Sequence, residues 1–170
     1  MWTWSDVDEA CLESMVIDYP ELPLFISSIK TLHGKAMMSY LTYMAQHIIQ
    51  LHRVLKDTGS IYQRCDPTAS HYLKLIMDAV FGKNNFRNEI VWKYGLGGSS
   101  KRFFSRKHDI LFFYTKGDGY LFNKPTIPAT SQRMKRKKKG MLDVWTDIPS
   151  LNNQAKKRVG YPTLYQVICS

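Results

Sequence analysis

The sequence predicts an α/β fold: a sheet with helices on its faces and an irregular basic insertion. Three observations predict it. Apolar residues recur at helical spacing in "KAMMSYLTYMAQHIIQLHRVLK". Short β-rich runs, "SIYQRC", "FRNEIVWKY" and "HDILFFYTK", follow in series. The order helix–strand–helix–strand–strand is that of a sheet flanked by helices.

In chain order, Asp6 to Ile17 reads as a short helix, and "PELPLFISSIKTLHG" as a second, stopped by Gly34. The third helix places Met37, Leu41, Met44, Ile48, Leu51 and Leu55 on one stripe at three- and four-residue steps. Met37, Met38 and Met44 are core positions. "DTG" closes this helix, with Gly59 expected in the left-handed conformation of a helix terminus. "SIYQRC" is the first strand. Asp66 is placed to cap the next helix, with Pro67 at its first position. That helix presents Tyr72, Leu75, Ile76, Ala79 and Val80 as its apolar face.

"FRNEIVWKY" is a second strand, with Trp92 as a packing residue. "GLGGSSKRFFSRK" connects it to "HDILFFYTK", whose nearly continuous apolar middle suits a buried strand. "KYGLGGSS", Lys93 to Ser100, imitates a cofactor loop through Gly95, Gly97 and Gly98. No apolar-periodic helix follows it, so it reads as a connection between strands. From Gly117 to Gly140 no periodicity survives. A short strand at "DVW" ends the regular pattern, with Trp145 packing.

The chain of 170 residues is 44% hydrophobic, enough for one sizeable core. No apolar run approaches the ~18 residues of a membrane span, and the acidic start "MWTWSDVDEACLESM" lacks a signal-peptide pattern. Cys11, Cys65 and Cys169 are sparse and lack zinc spacing, which fits a reducing cytoplasm. The net charge is +10, and the window Lys101–Gly140 holds twelve Lys or Arg against Asp109 and Asp118. The remainder is balanced. A neutral body with one basic segment points to a polyanion, most simply double-stranded DNA.

Within that window Lys101, Arg102, Arg106 and Lys107 surround Phe103 and Phe104. Cations of this kind hold phosphates while a ring stacks on or wedges beside a base. The alternative is that both rings fill the core beneath a solvated loop. His108 and Asp109 are adjacent on a strand and point to opposite faces, so they form no proton relay; His108 is a structural or DNA-orienting group. Arg133, Lys135, Arg136, Lys137, Lys138 and Lys139 form a lysine-rich run that either contacts phosphates or is a solvated loop. Ligands gather beyond the carboxyl ends of strands in such sheets. Arg64, Cys65 and Asp66 lie at that end of the first strand, although capping explains Asp66 without a ligand.

The stretch "LHRVLKDTGSIYQRCDPTASHYLKLIMDAVFGKNNFRNEIVWKY" closely resembles the middle of site-specific DNA methyltransferases of the adenine-N6/cytosine-N4 type with permuted motif order. "KRFFSRKHDILFFYTK" and "DVWTDIPSLNNQAKKRVGYPT" resemble later blocks. The likeness extends from about Trp2 to Thr163. It implies a partial Rossmann-like sheet, S-adenosylmethionine as cofactor, and methyl transfer to an extruded base's exocyclic amine, adenine being favoured over cytosine. By the same likeness residues 1–116 are a partial methyltransferase core, 117–142 a basic target-recognition-like segment and 143–170 a return segment to the core. Tyr161, Pro162 and Thr163 match the start of a cofactor-lining block, and Asp66 is a further cofactor candidate.

The family's D-P-P-Y tetrapeptide does not occur. "DYPE", "DPTA" and "DIPS" are the nearest forms, and none has the required order. The F-C-G-S-G type loop expected after "GYPT" is absent as well; "LYQVICS" stands there. The expectation is therefore a methyltransferase fragment, inactive alone. Its rivals are a non-catalytic basic DNA-binding module and a partial subunit completed by another chain. A restriction subunit is a further possible partner.

Overall fold

A computed structural model describes residues 6–95, 99–129 and 137–146. Four helices, α1 (Asp6–Met15), α2 (Glu21–His33), α3 (Lys35–Val54) and α4 (Ser70–Phe81), accompany strands β1 (Ser60–Cys65), β2 (Phe86–Lys93) and β3 (His108–Thr115). Three short strands follow: β4 (Thr126–Pro128), β5 (Lys138–Gly140) and β6 (Val144–Trp145).

The main sheet has the order β1-β3-β2-β6. β3 runs antiparallel to both β1 and β2, so β1 and β2 are parallel to one another, joined through α4. β6 adds to β2 in parallel through Val91↔Val144 and Trp92↔Trp145. The central place of β3 explains its apolar middle: both faces are covered, and Phe112, Phe113, Tyr114 and Thr115 are all buried.

Side chains alternate across this sheet. Cys65, Ile110, Phe112 and Tyr114 share one core with α4 and the buried faces of α1, α2 and α3. On the opposite face Ile90, Trp92 and Phe113 are buried outside that core. The described helices thus share one core on one face, not both as the sequence predicts. Phe122, Met141 and Leu142 border the other face, Phe122 lying 5.8 Å from Phe113 between ring centroids, and the lack of periodicity in their segment hid it. Within the 117–140 stretch that looked patternless, β4 and β5 pair as a small antiparallel unit, Ile127 opposite Lys139.

Most of the expected stripe residues lie in or against the core, with Met37, Met44, Leu55, Tyr72 and Ala79 partly buried, but the fully buried positions are shifted to one side. α3 buries Met38, Ser39, Leu41, Thr42, Ala45 and Ile48, while Leu51 is exposed. Helices on several sides of α3 leave room for small polar residues, and the Thr42 hydroxyl is satisfied by donating to the Met38 carbonyl at 3.0 Å. α4 buries Leu73, Ile76, Met77, Val80 and Phe81 and leaves Leu75 exposed. Two overlapping three/four-residue stripes exist in that sequence, and packing selects the one containing the larger cluster.

Gly34 stops α2, as expected, and takes a positive φ of 82° between α2 and α3. Gly59, the residue expected to be left-handed, does not. It is required by space: a Cβ there would lie 2.6 Å from Leu55 Cγ and 2.8 Å from the Lys56 carbonyl oxygen. The Asp66 carboxylate accepts the Thr68 and Ala69 amides at 2.8 and 3.2 Å. It organises the turn before α4, and Pro67 therefore lies in this turn and not in the first helical turn.

Candidate nucleic-acid interface

The parallel run of β1 and β2 brings their carboxyl ends together, with the start of β3 between them. Arg64 pairs across to Leu111, Trp92 to Asp109 and Lys93 to His108. This sheet end carries Arg64, Cys65, Asp66, Lys93, Tyr94 and His108, and the β2–β3 connection rises from it. The connection begins with a bond from the Tyr94 amide to the Lys107 carbonyl at 3.0 Å. Ser100 Oγ accepts the Arg102 amide at 3.1 Å and shapes the turn above. Lys101, Arg102 and Arg106 are exposed, and none has a carboxylate partner among the described residues. Four cations therefore crowd one short connection, with Lys107 and His108 half-buried at its foot.

Phe103 and Phe104 belong to the same connection, and they do not fill the core. Phe103 is 61% exposed and Phe104 98%. The Arg106 guanidinium lies 5.6 Å from the centre of the Phe103 ring. No helix interrupts the described part of this connection, as expected for a link between strands; Gly97 and Gly98 lie outside the described residues.

Beneath the loop sits a charged network that sequence reading did not find. Asp109 is buried, and Arg64 donates to its Oδ2, through Nε at 2.8 Å and also through its terminal nitrogen. Tyr94 Oη donates to Asp109 Oδ1 at 3.3 Å. The Arg64 guanidinium also lies 5.2 Å from the Trp92 ring centre. Residues from all three strands are thus locked at one sheet end. Burial raises the Tyr94 hydroxyl pKa, with further push from the Asp109 charge, so the phenol remains a donor. The signal was present: Arg64, Trp92 and Asp109 share one face under strand alternation, although the pairing register must be known to see it. Cys65 faces the other way into the core, and burial pushes its thiol from 9.0 up to about 12.

The remaining basic residues are held elsewhere. Lys138 and Lys139 lie on β5, with Lys137 just before it, on the separate two-stranded unit. Arg133, Lys135 and Arg136 lie outside the described residues, as do Tyr161, Pro162 and Thr163. Asp66 is exposed at the end of β1, but its Oδ1 already serves the turn.

A cavity of about 290 Å³ opens on the sheet face opposite the helices. Tyr62, Phe113, Phe122, Met141 and Trp145 line it. Tyr62 and Phe113 stack within it at 4.5 Å between centroids and 4° between planes. Neither Asp66 nor a residue of the basic loop borders it.

No helix among the described residues is long and apolar enough to cross a membrane. The family model for DNA methylases of the N6/N4 type matches residues 26–166. The chain is 32% identical over 88 residues to the type II methyltransferase M.EcaI of Enterobacter cloacae, covering 51% of this chain and 20% of the relative. It is 33% identical over 93 residues to M.KpnI of Klebsiella pneumoniae, covering 54% and 21%. M.BglII of Bacillus subtilis is 28% identical over 153 residues, covering 77% of this chain and 42% of the relative. The chain spans about a fifth of the length of the first two. A match that takes in α3, α4 and every strand of the sheet, beginning within α2, places this chain in the DNA methylase family of the N6/N4 type.

Proposed function

We propose that this chain is the scaffold and DNA-facing portion of an S-adenosylmethionine-dependent DNA amino-methyltransferase. Its sheet is the edge of a Rossmann-like fold, and adenine is the favoured target. Lys101, Arg102, Arg106, Lys107 and His108 hold the phosphates of a duplex over the carboxyl ends of β1 and β2. Arg133, Lys135, Arg136, Lys137, Lys138 and Lys139 add a second, sequence-independent contact. The observation that carries this reading is the family match over residues 26–166, joined to a basic loop at the sheet end where ligands gather, whose Lys101, Arg102 and Arg106 have no carboxylate partner among the described residues.

The described residues do not by themselves fit the cofactor. Asp66 is committed to its turn, and the aromatic cavity lies on a sheet face that Asp66 does not reach. No D-P-P-Y tetrapeptide is available to accept the hydrogens of a target amine. The polypeptide therefore binds DNA and does not methylate it unaided. Tyr161, Pro162 and Thr163 complete a cofactor site only with a segment that supplies the absent blocks, either a complementing chain or a subunit of a restriction–modification assembly in the cytoplasm.

Tritiated-methyl transfer onto duplex DNA tests this. The purified chain is expected to incorporate nothing above background, and a complementing segment carrying both absent blocks to restore transfer. Incorporation by the chain alone would overturn the division of labour. DNA binding without rescue by the complementing segment would instead establish a non-catalytic DNA-binding module, the second reading that the basic loop supports.

A further inference from the structure

We propose that Phe103 and Phe104 are a base-step wedge: the aromatic tip of the β2–β3 connection enters the base stack of a duplex while the flanking cations grip the phosphates on either side. This rests on the DNA-binding reading above and goes beyond it, because phosphate contacts alone need no aromatic ring. Two consecutive phenylalanines stand at 61% and 98% exposure on this sheet-end loop. Leaving such rings in water forgoes the burial that apolar side chains ordinarily gain on folding. Ile90 and Phe113 show that buried positions exist on the nearby strands.

The loop is not a loose strand of chain at this point. Its base is fixed by the Tyr94–Lys107 backbone bond, and its turn by the Ser100 hydroxyl. The Arg64–Asp109–Tyr94 network makes the platform beneath it rigid. Arg106 covers the Phe103 ring, which leaves Phe104 as the more fully projecting member of the pair.

The partner must match two chemistries at once. An apolar protein groove satisfies the rings but buries Lys101, Arg102 and Arg106 against nothing. A duplex satisfies both: its phosphates flank each base step, and a ring inserted there replaces part of the stacking it disrupts. Insertion costs less where the stack is already interrupted, and this gives a signature that needs no knowledge of the recognition sequence.

Binding of the full chain to two short duplexes, one intact and one with a central abasic site, is the test, each titrated at several salt concentrations. The chain is expected to prefer the abasic duplex by roughly tenfold. Phe104→Ala should abolish that preference while leaving the salt slope intact, and Phe104→Trp should restore it. Lys101→Ala with Arg102→Ala should lower the slope and keep the preference. Equal preference in the parent chain and Phe104→Ala would overturn the wedge and leave the phosphate grip standing. No binding to either duplex would remove the DNA-binding reading, and the wedge with it. Phosphatidylserine vesicles provide the contrary arm: Phe104-dependent vesicle binding with no effect on the duplexes would make the loop a lipid anchor and overturn the proposal.

Discussion

Asp109 shows how much one side chain can hold. Its carboxylate is buried, and it joins Arg64 on β1 to Tyr94 beyond β2 from its own place on β3. Asp109→Ala should cost about 3 kcal/mol, because it strands a guanidinium that is itself only partly solvated. Urea unfolding of the two single variants and the double variant with Arg64→Ala checks this, and strong non-additivity is the expected result. A second residue-scale consequence concerns pH. The Cys65 thiol is raised by burial from 9.0 to about 12, and the Tyr114 phenol is raised by burial and by its 2.6 Å bond to Asp78. Both groups are neutral when folded and ionise more readily when unfolded. Their stabilising contribution is complete below about pH 9 and lost as pH climbs toward 12. Unfolding midpoints measured from pH 8 upward should fall beyond pH 9, and Cys65→Val should delay the onset toward the range of tyrosine.

At the scale of elements, the sequence disclosed what short-range physics determines. Helix and strand positions, the Gly34 break and the buried character of β3 follow from periodicity, backbone freedom and apolar content. What escaped it depends on partners distant in the chain. The stripe that α4 buries is chosen by β3 and α3, so Leu75 competed on equal terms with Leu73 and Met77 until packing decided. β4 and β5 are three residues each, too short for alternation to register, and only their pairing defines them. The candidate site divides likewise. Its cations were legible as a charge cluster, but the exposure of Phe103 and Phe104 and the network under them needed the register of β1, β2 and β3. For the β5 unit the expected outcome is electrostatic. Neutralising Lys137, Lys138 and Lys139 to Gln should lower the salt slope of DNA binding by up to about three while leaving base-dependent preferences unchanged. An unchanged slope would exclude this unit from the interface.

Among the described residues the sheet has one helical face, one face bordered by loop residues and an edge strand, β1, with one strand neighbour. β1 pairs only with β3 among the described residues, so its other side has no strand partner there, with Tyr62 47% exposed on the same strand. Ile17 in the connection between α1 and α2, and Leu24 and Leu32 on α2, add exposed apolar area. Such an edge invites further strands. Sedimentation velocity should reveal concentration-dependent association of the isolated chain, and a monodisperse monomer melting cooperatively at high concentration would count against it. The insertion of β3 between β1 and β2 has one more effect, on the timing of synthesis. Cys65 finds Ile110 only after some forty-five further residues have left the ribosome, so β1 must wait beside α3 and α4 with no strand neighbour. The helical half can settle early, whereas sheet assembly is postponed until the third strand emerges and closes both seams at once.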